Sequence, residues 1–547
     1  MSPDVPVPPD VPETGLLRTA RGLAIATVVS RVTGFARIAA LTAVLGLGNL
    51  RQAFEVANTL PNTLYELLLG GVLTSTLVPL LVEAKQGGPE KAIAFAQRIL
   101  TLVLLATAAL SMLAVLVAPV LVRAYNRSPD AAEIDLSIQW ARFFLPQIFF
   151  YALAATVSAV LNTYGRFGAA AWAPVLNNVV VIATVGVFAL LPGPATTTVR
   201  TLTSAQLLTL GIGTTLGVVA MAVVLLPVLR STGFRWRLRF DLRGVGLRRM
   251  ARLGAWVLVY VAATQLAFWV LTALATAVQE QPTYLTAFTV WQLPHAVVAV
   301  SLITVLLPRM SAAAVAGRLP HLRTELDRGL RLSAIILLPA AVAFVVLGRD
   351  LSTVLFNHGE TDWAQAQRVG WVLAVFAVGL LPFSVYQLQS RAFYAMRDTR
   401  TPALVQCAVS AVLVALDLLL AALLPDDMRV FGLAAGHAAA YVVGVLISVI
   451  ALRRRLGPRA AVDAGRSFAL TSRLVPAALL AGAAAAGLAA VLHQHLAAGP
   501  MGSLVVLLAA GALGILVYLA GILALRVPEA RAGLRSVLKP GDRRGSG

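Results

Sequence analysis

Cysteine is almost absent from this chain, with Cys407 the only one in 547 residues. That excludes an internal disulfide framework and any cysteine-based metal cluster. Cys407 is left to act as a small buried hydrophobe. Charge is scarce as well. Asp, Glu, Lys and Arg make up 12% of the residues, against about 25% in soluble globular proteins. Acid is scarcer than base, 24 residues against 44, for a formal net charge of +20. In a soluble chain such an excess suggests nucleic acid. Here the basic residues gather in particular loops, so their meaning is membrane orientation and contact with anionic lipid, and no nucleic acid partner is expected. His295 and His437 stand singly in apolar stretches, whereas a metal site needs several ligands at set spacing. No cofactor or metal is expected.

Long polar loops are missing too. Only 122–136 and 349–365 give external segments of any length. A polytopic polymerase or ligase needs catalytic carboxylates in a sizeable loop, so the chain reads as a transporter and not an enzyme. What is abundant is hydrocarbon: 59% of residues are hydrophobic and the mean hydropathy is +0.83. Apolar runs of about 18 or more residues recur, the signature of a polytopic all-α membrane protein. Hydropathy predicts about fourteen spans, near 20–46, 53–83, 94–122, 138–162, 170–191, 205–229, 248–278, 285–314, 330–355, 368–394, 402–424, 431–452, 470–492 and 501–525. Basic loops alternate with loops poor in base. Residues 230–252 and 453–473 are Arg-rich, as is the tail, whereas 48–52, 192–200, 279–283 and 425–429 are not. An even number of crossings with both termini cytoplasmic fits this alternation.

The chain repeats. Leu60-Pro61-Asn62 resembles Leu293-Pro294-His295, and Leu161–Arg166 resembles Ala392–Arg397, both at shifts of about 230 residues. Tandem halves of six helices each run parallel, related by an axis along the membrane normal. The expected organisation is a tail at 1–16, an N-lobe at 17–235, a C-lobe at 236–457, two further helices in 458–527 and a basic cytoplasmic tail at 528–547.

Charge does enter the first two spans. Arg31, Arg37, Glu55 and Glu66 lie where each costs roughly 2.5–3.5 kcal/mol to insert, so they face protein or water. Thr27, Ser30, Thr33, Gly34 and Arg37 form one helical stripe, with Arg31 at its flank, and Glu55, Asn58, Asn62 and Glu66 form another. Two polar stripes in an oily background describe helices lining a wet cavity. The blander alternative is that the two arginines and two acids neutralise each other. Pro61, the Gly70-Gly71 pair and Pro294 are predicted hinges, and Gly34 is a further hinge or gate candidate. Arg166 and Arg397-Asp398 are expected as clasps at cytoplasmic loops, with lipid head-group contact as the alternative. The equivalent helix of the second half offers Thr289, Gln292, His295 and Ser301 but no formal charge.

SRVTGFAR at Ser30–Arg37, NTLPNTLYELLLGGVLTSTLVPLLVEA at Asn58–Ala84, YGRFGAAAWAPVLNN at Tyr164–Asn178, QLPHAVVAVSLITVLLPRMS at Gln292–Ser311 and RAFYAMRDTRTP at Arg391–Pro402 resemble the MurJ (MviN) family. This is a family of lipid II flippases in the multidrug/oligosaccharidyl-lipid/polysaccharide exporter superfamily, and the style is similar to actinobacterial members. The resemblance implies fourteen helices in two lobes around a central cavity, with the last pair forming a lipid-facing groove. It also implies alternating access that moves lipid II, or a similar undecaprenyl-diphosphate-linked saccharide, to the outer leaflet of the bacterial cytoplasmic membrane. A monomer is expected, surrounded by membrane lipids, with cell-wall synthesis proteins as possible partners. Arg31 and Arg37 match the family's first-helix arginines, thought to hold the diphosphate; Glu55, Asn62 and Glu66 complete the expected binding set. The sequence departs from the family pattern at Ile38, Gln52, Tyr65 and Thr289. Some members place a sodium site in the second lobe; Asp417 is the one acid here placed to belong to one. An exporter of another lipid-linked oligosaccharide, or of a drug, is the alternative function. A drug exporter, however, is expected to line its cavity with net acid, and here arginines accompany the acids.

Overall fold

The computed structural model describes residues 13–67, 81, 88–194, 197–241, 247–457 and 460–525. Among these the chain is helical with no strand, as a bilayer requires of backbone that must bond internally. Eleven helices are long and apolar enough to span, or twelve when one bent pair is counted as a span. The expected count of about fourteen is thus not reached among the described residues. The predicted span at 53–83 includes 68–80 and 82–87, which lie outside them. The one at 285–314 is helical throughout, inside a helix over Gln281–Val315. The chain divides into two compact units, Met1–Leu41, Val56–Val122 and Asp135–Ala255 in one, and Thr42–Glu55, Arg123–Ile134 and Trp256–Gly547 in the other.

In the first unit, α1 (Glu13–Leu45) and α2 (Asn49–Tyr65) contribute their segments up to Leu41 and from Val56. They are followed by α3 (Pro89–Leu116), α4 (Ala118–Tyr125, as far as Val122), α5 (Ala131–Phe144, from Asp135), α6 (Gln147–Thr163), α7 (Phe167–Leu190), α8 (Ser204–Val223) and α9 (Leu225–Ser231). Leu100, Val103, Val157, Val160, Leu161 and Ala222 make its core. Small residues set the closest approaches: a Cβ on Gly217 would stand 2.5 Å from Asn177 Oδ1, so α7 and α8 meet through a glycine facing an amide. Thr203 and Gln206 start α8 with a reciprocal capping box.

The second unit adds α10 (Leu247–Ala277), α11 (Gln281–Val315), α12 (Leu319–Phe356), α13 (Trp363–Ala377), α14 (Leu380–Ala395), α15 (Arg400–Leu423), α16 (Arg429–Leu456), α17 (Ala460–His495) and α18 (Pro500–Ala524). The 38-residue α12 packs against α11, α13, α17 and α18. Leu474, Ala477, Ala478 and Ala481 of α17 meet Tyr518 and Ile522 of α18, and Tyr518 donates to the Ile335 carbonyl at 2.8 Å. An apolar groove of about 240 Å³ runs between α12, α17 and α18.

Helix boundaries carry the repeat further than the motifs did. The first helix of each half ends at Leu45 and Ala277, a shift of 232 (277 − 45). The fragments α6 and α14 begin at Gln147 and Leu380, a shift of 233 (380 − 147). In both halves a two-residue break precedes them. The second break bends α13 against α14 by 51°, within the span predicted at 368–394. Gly379 sits in the break, and a Cβ there would come within 2.8 Å of the Ala438 Cα. The helix that follows is reached in both halves through the same cap. Gly165 (φ 72°) and Arg397 (φ 59°) occupy the left-handed position, and Arg166 N and Asp398 N donate back to the Leu161 and Phe393 carbonyls at 3.0 and 2.9 Å.

Candidate substrate-binding site

The polar stripe of α1 is built against its neighbours in the first unit. Asn178 Nδ2 donates to the Ser30 carbonyl at 3.2 Å and to Thr33 Oγ1 at 3.1 Å, tying α7 to α1 one turn before Arg37. A Cβ on Gly34 would lie 3.5 Å from the same amide, an ordinary contact. Beyond this tie the stripe opens onto Tyr151 of α6. Arg37 and the Asn62 side chain both reach the Tyr151 hydroxyl's surroundings. The Tyr65 and Tyr151 rings lie 5.8 Å apart, and Glu66 follows Tyr65 on an exposed position. Arg37 is half-buried. Its Nε is buried with no hydrogen-bond partner. Among the described residues no acid pairs with Arg37 or Arg31 within 4 Å. A half-buried guanidinium with an unpartnered Nε is a cation with a donor to spare, and arginine's planar fork suits phosphate.

The family model for lipid II flippase MurJ matches residues 41–507. The chain belongs to that family. It is 29% identical to a probable lipid II flippase MurJ of Rhizobium tropici over 435 residues, which is 79% of each chain. It is 29% identical to a lipid II flippase MurJ of Burkholderia cenocepacia over 385 residues, 69% of this chain and 72% of that one. The fold is similar to that of a lipid II flippase MurJ in an inward closed conformation, with a TM-score of 0.73 at 18% identity over 92% of this chain and 98% of the other. A multidrug resistance MATE family transporter in an inward-facing conformation shares the fold less closely, at a TM-score of 0.63 and 17% identity over 79% of this chain and 98% of the other.

Of the residues expected to bind substrate in this MurJ family member, Arg37 and Asn62 come together at Tyr151, with Glu66 close by. Arg31 is on an exposed face among Val28 and Val32. Glu55 belongs to the second unit and is engaged there: its Oε1 pairs with Arg51 Nη2 at 2.6 Å, on a guanidinium side chain only 2% exposed. That pair is one helical turn apart; it is not the mutual neutralisation of Arg31 and Arg37 with Glu55 and Glu66 that the alternative described. The departure at Gln52 also has a structural reason. Its Nε2 donates to Glu133 Oε1 at 2.8 Å and to the Thr276 carbonyl at 3.2 Å. Glu133 is fully buried and accepts from Asn126 at 2.9 Å and Ser128 at 2.8 Å as well. A carboxylate at position 52 would face a carboxylate; the amide supplies a donor.

The hinge and gate candidates divide. Pro61 lies buried inside α2, and Pro294 half-buried inside α11. Gly70 and Gly71 lie outside the described residues. Arg166 is exposed at the start of α7. Asp398 is a true junction: Thr401 donates to it from N at 3.0 Å and from Oγ1 at 2.7 Å, and Arg455 Nη2 approaches to 3.0 Å. Burial raises the Asp398 carboxyl's pKa, but these hydrogen bonds and the arginine outweigh it and hold it below the ordinary value. Asp417 is fully buried with both oxygens unpartnered, and no cluster of three metal-ligating side chains exists among the described residues. Sequence reasoning missed Tyr151. It carries no local signal, because its place beside Arg37 is a tertiary fact.

Proposed function

We propose that this protein is a lipid II flippase of the bacterial cytoplasmic membrane, with Arg37 as the cation that receives the diphosphate. The observation that carries this reading is the half-buried guanidinium with an unpartnered Nε, set on a membrane helix beside Tyr151 and Asn62. An undecaprenyl-diphosphate-linked saccharide has an anionic, strongly hydrated head and an apolar tail. Passage of the head through hydrocarbon demands desolvation of its charges. A fixed guanidinium replaces lost water with bidentate, charge-assisted hydrogen bonds, and the Asn62 amide and Tyr151 hydroxyl add neutral donors. Glu66 accepts only, which suits hydroxyl and amide groups of the saccharide–peptide head and not its phosphates. Arg31 stands about 9 Å from Arg37 along the helix at 1.5 Å per residue and makes first contact with the head group from its exposed face.

Transport proceeds by alternating access. The halves 17–235 and 236–457 act as lobes, with Gly34, Pro61 and Pro294 as points where α1, α2 and α11 yield, and Arg166, Arg397 and Asp398 at the loop turns of each repeat. The chain works as a monomer with both termini cytoplasmic, the orientation its basic loops favour. The test is rescue of a flippase-depleted cell. The parent restores growth and shape, Arg37→Ala does not, and Arg31→Ala restores them partly. Full rescue by Arg37→Ala, at matched membrane levels, would remove the support for this reading.

A further inference from the structure

The second unit holds a cation that flipping as described above does not use. Arg391 lies on α14, six residues before the left-handed cap at Arg397 (397 − 391 = 6), which is about 9 Å into the helix at 1.5 Å per residue. It is half-buried, and its Nε is buried with no hydrogen-bond partner. Among the described residues no acid pairs with it within 4 Å. An arginine near a helix end ordinarily snorkels, its stem along hydrocarbon and its whole head in water. The buried Nε shows this head held among protein groups instead.

Those groups are phenols and amides. The Arg391 guanidinium stands 5.7 Å from the centre of the Tyr394 ring, one turn on. It also lies close to the hydroxyl of Tyr260 from α10, which Tyr386 and Gln387 reach as well. Tyr386 is fixed in turn by donating to Gln406 Oε1 at 2.9 Å. Phenols are neutral at neutral pH and amides carry no charge. Arg391 is therefore the one charged member of the cluster, and no titrating neighbour within it cancels that charge. At the repeat shift its first-half counterpart is Ala159 (391 − 232 = 159), so the frame shared by the halves does not require the charge.

The chemistry of the cluster says which anion fits. The planar fork of arginine bonds a carboxylate bidentately, one charge against one. The Gln387 amide suits the polar edge of a peptide group, and the two rings beside Arg391 suit its apolar side chains. A diphosphate would bring at least two charges to a single cation. We propose that Arg391 binds a carboxylate of the peptide in the saccharide–peptide head, and that the protein thereby selects peptide-bearing lipids over lipid-linked saccharides that lack one. This assignment rests on the flippase reading above.

The test measures binding of three lipids to the purified full-length protein: the saccharide–peptide diphosphate lipid, the same lipid with its peptide carboxylates amidated, and polyprenyl diphosphate. The wild type is expected to bind the first about tenfold tighter than the second. Arg391→Gln binds those two alike, and Arg391→Lys keeps most of the preference. Polyprenyl diphosphate binds equally to the wild type and both variants, which also reports an intact fold. Arg37→Ala weakens all three lipids and leaves the ratio of the first two unchanged. Undiminished polyprenyl diphosphate binding in Arg37→Ala would count against the flippase reading, separately from that ratio. A preference that survives in Arg391→Gln would overturn the proposal, as would a wild type with no preference. Equal loss of all three lipids in Arg391→Gln would assign Arg391 to the diphosphate and overturn it too.

Discussion

The repeat provides its own control for the proposed site, because each first-half residue has a second-half counterpart at nearly the same shift. Asn62 corresponds to His295 (295 − 62 = 233), Tyr151 to Phe383 (383 − 151 = 232) and Arg37 to Trp269 (269 − 37 = 232). The contact survives but its chemistry changes. His295 lies edge-on to Phe383 with centroids 4.6 Å apart, and its Nδ1 sits 2.7 Å from Ser384 Oγ. Trp269 spends its indole donor on the Ala124 carbonyl at 2.9 Å. Around them Trp291, Phe376, His437 and Tyr441 close into an aromatic cluster. One half thus carries a cation with an unspent donor; the other uses the same backbone positions to fill a core. The two halves share a frame, and this charge lies in one of them.

This contrast is broken most severely at Arg37. Replacing it by alanine is expected to weaken diphosphate-lipid binding by about two orders of magnitude, the usual scale for losing one partner of a desolvated charged contact. Arg37→Lys recovers only part, lacking the planar fork. His295→Ala, at the mirrored place, leaves binding within about twofold and lowers stability by roughly 1 kcal/mol, readable as thermal unfolding in detergent. A second strong effect tests whether the remaining membrane charge is structural. Gln52→Glu sets a carboxylate against Glu133 and is expected to cost about 3 kcal/mol, seen as lost expression or a lowered Tm, with Glu133→Gln relieving it.

Tyr151→Phe makes the first half resemble the second at that position. Loss of one hydroxyl beside the head group is expected to cost about 1 kcal/mol, or roughly fivefold in binding, with the fold intact. The smallest effect concerns Asp398. Its carboxyl titrates below the ordinary range in the folded protein, so its contribution is complete above the unfolded-state pKa and is lost as pH falls through the lowered value. Thermal unfolding of the wild type should therefore weaken on acidification through that window more than that of Asp398→Asn. Equal slopes would show that the Thr401 and Arg455 contacts add nothing.

How much of this was legible from residues alone follows from which interactions are local. The spans were readable because about twenty apolar residues in a row leave few other structures. The Arg51–Glu55 pair is readable in the letters, since i and i+4 face each other on a helix. The bend at Gly379 was hidden because its cause, the nearby Ala438 backbone, lies far along the chain. Tyr151 and the Glu133 network were hidden for the same reason. Arg397 was matched in the motif to Arg166, whereas backbone conformation matches it to Gly165. A side chain at a left-handed position costs about 1–2 kcal/mol, which the letters alone do not announce.

The most direct measurement is polyprenyl-diphosphate binding to the purified full-length protein and to Arg37→Ala and His295→Ala, at fixed ionic strength. If a single open guanidinium in the first half receives the substrate, only Arg37→Ala loses affinity, by about a hundredfold. Equal affinity in all three proteins, or loss at His295 with none at Arg37, would contradict that claim.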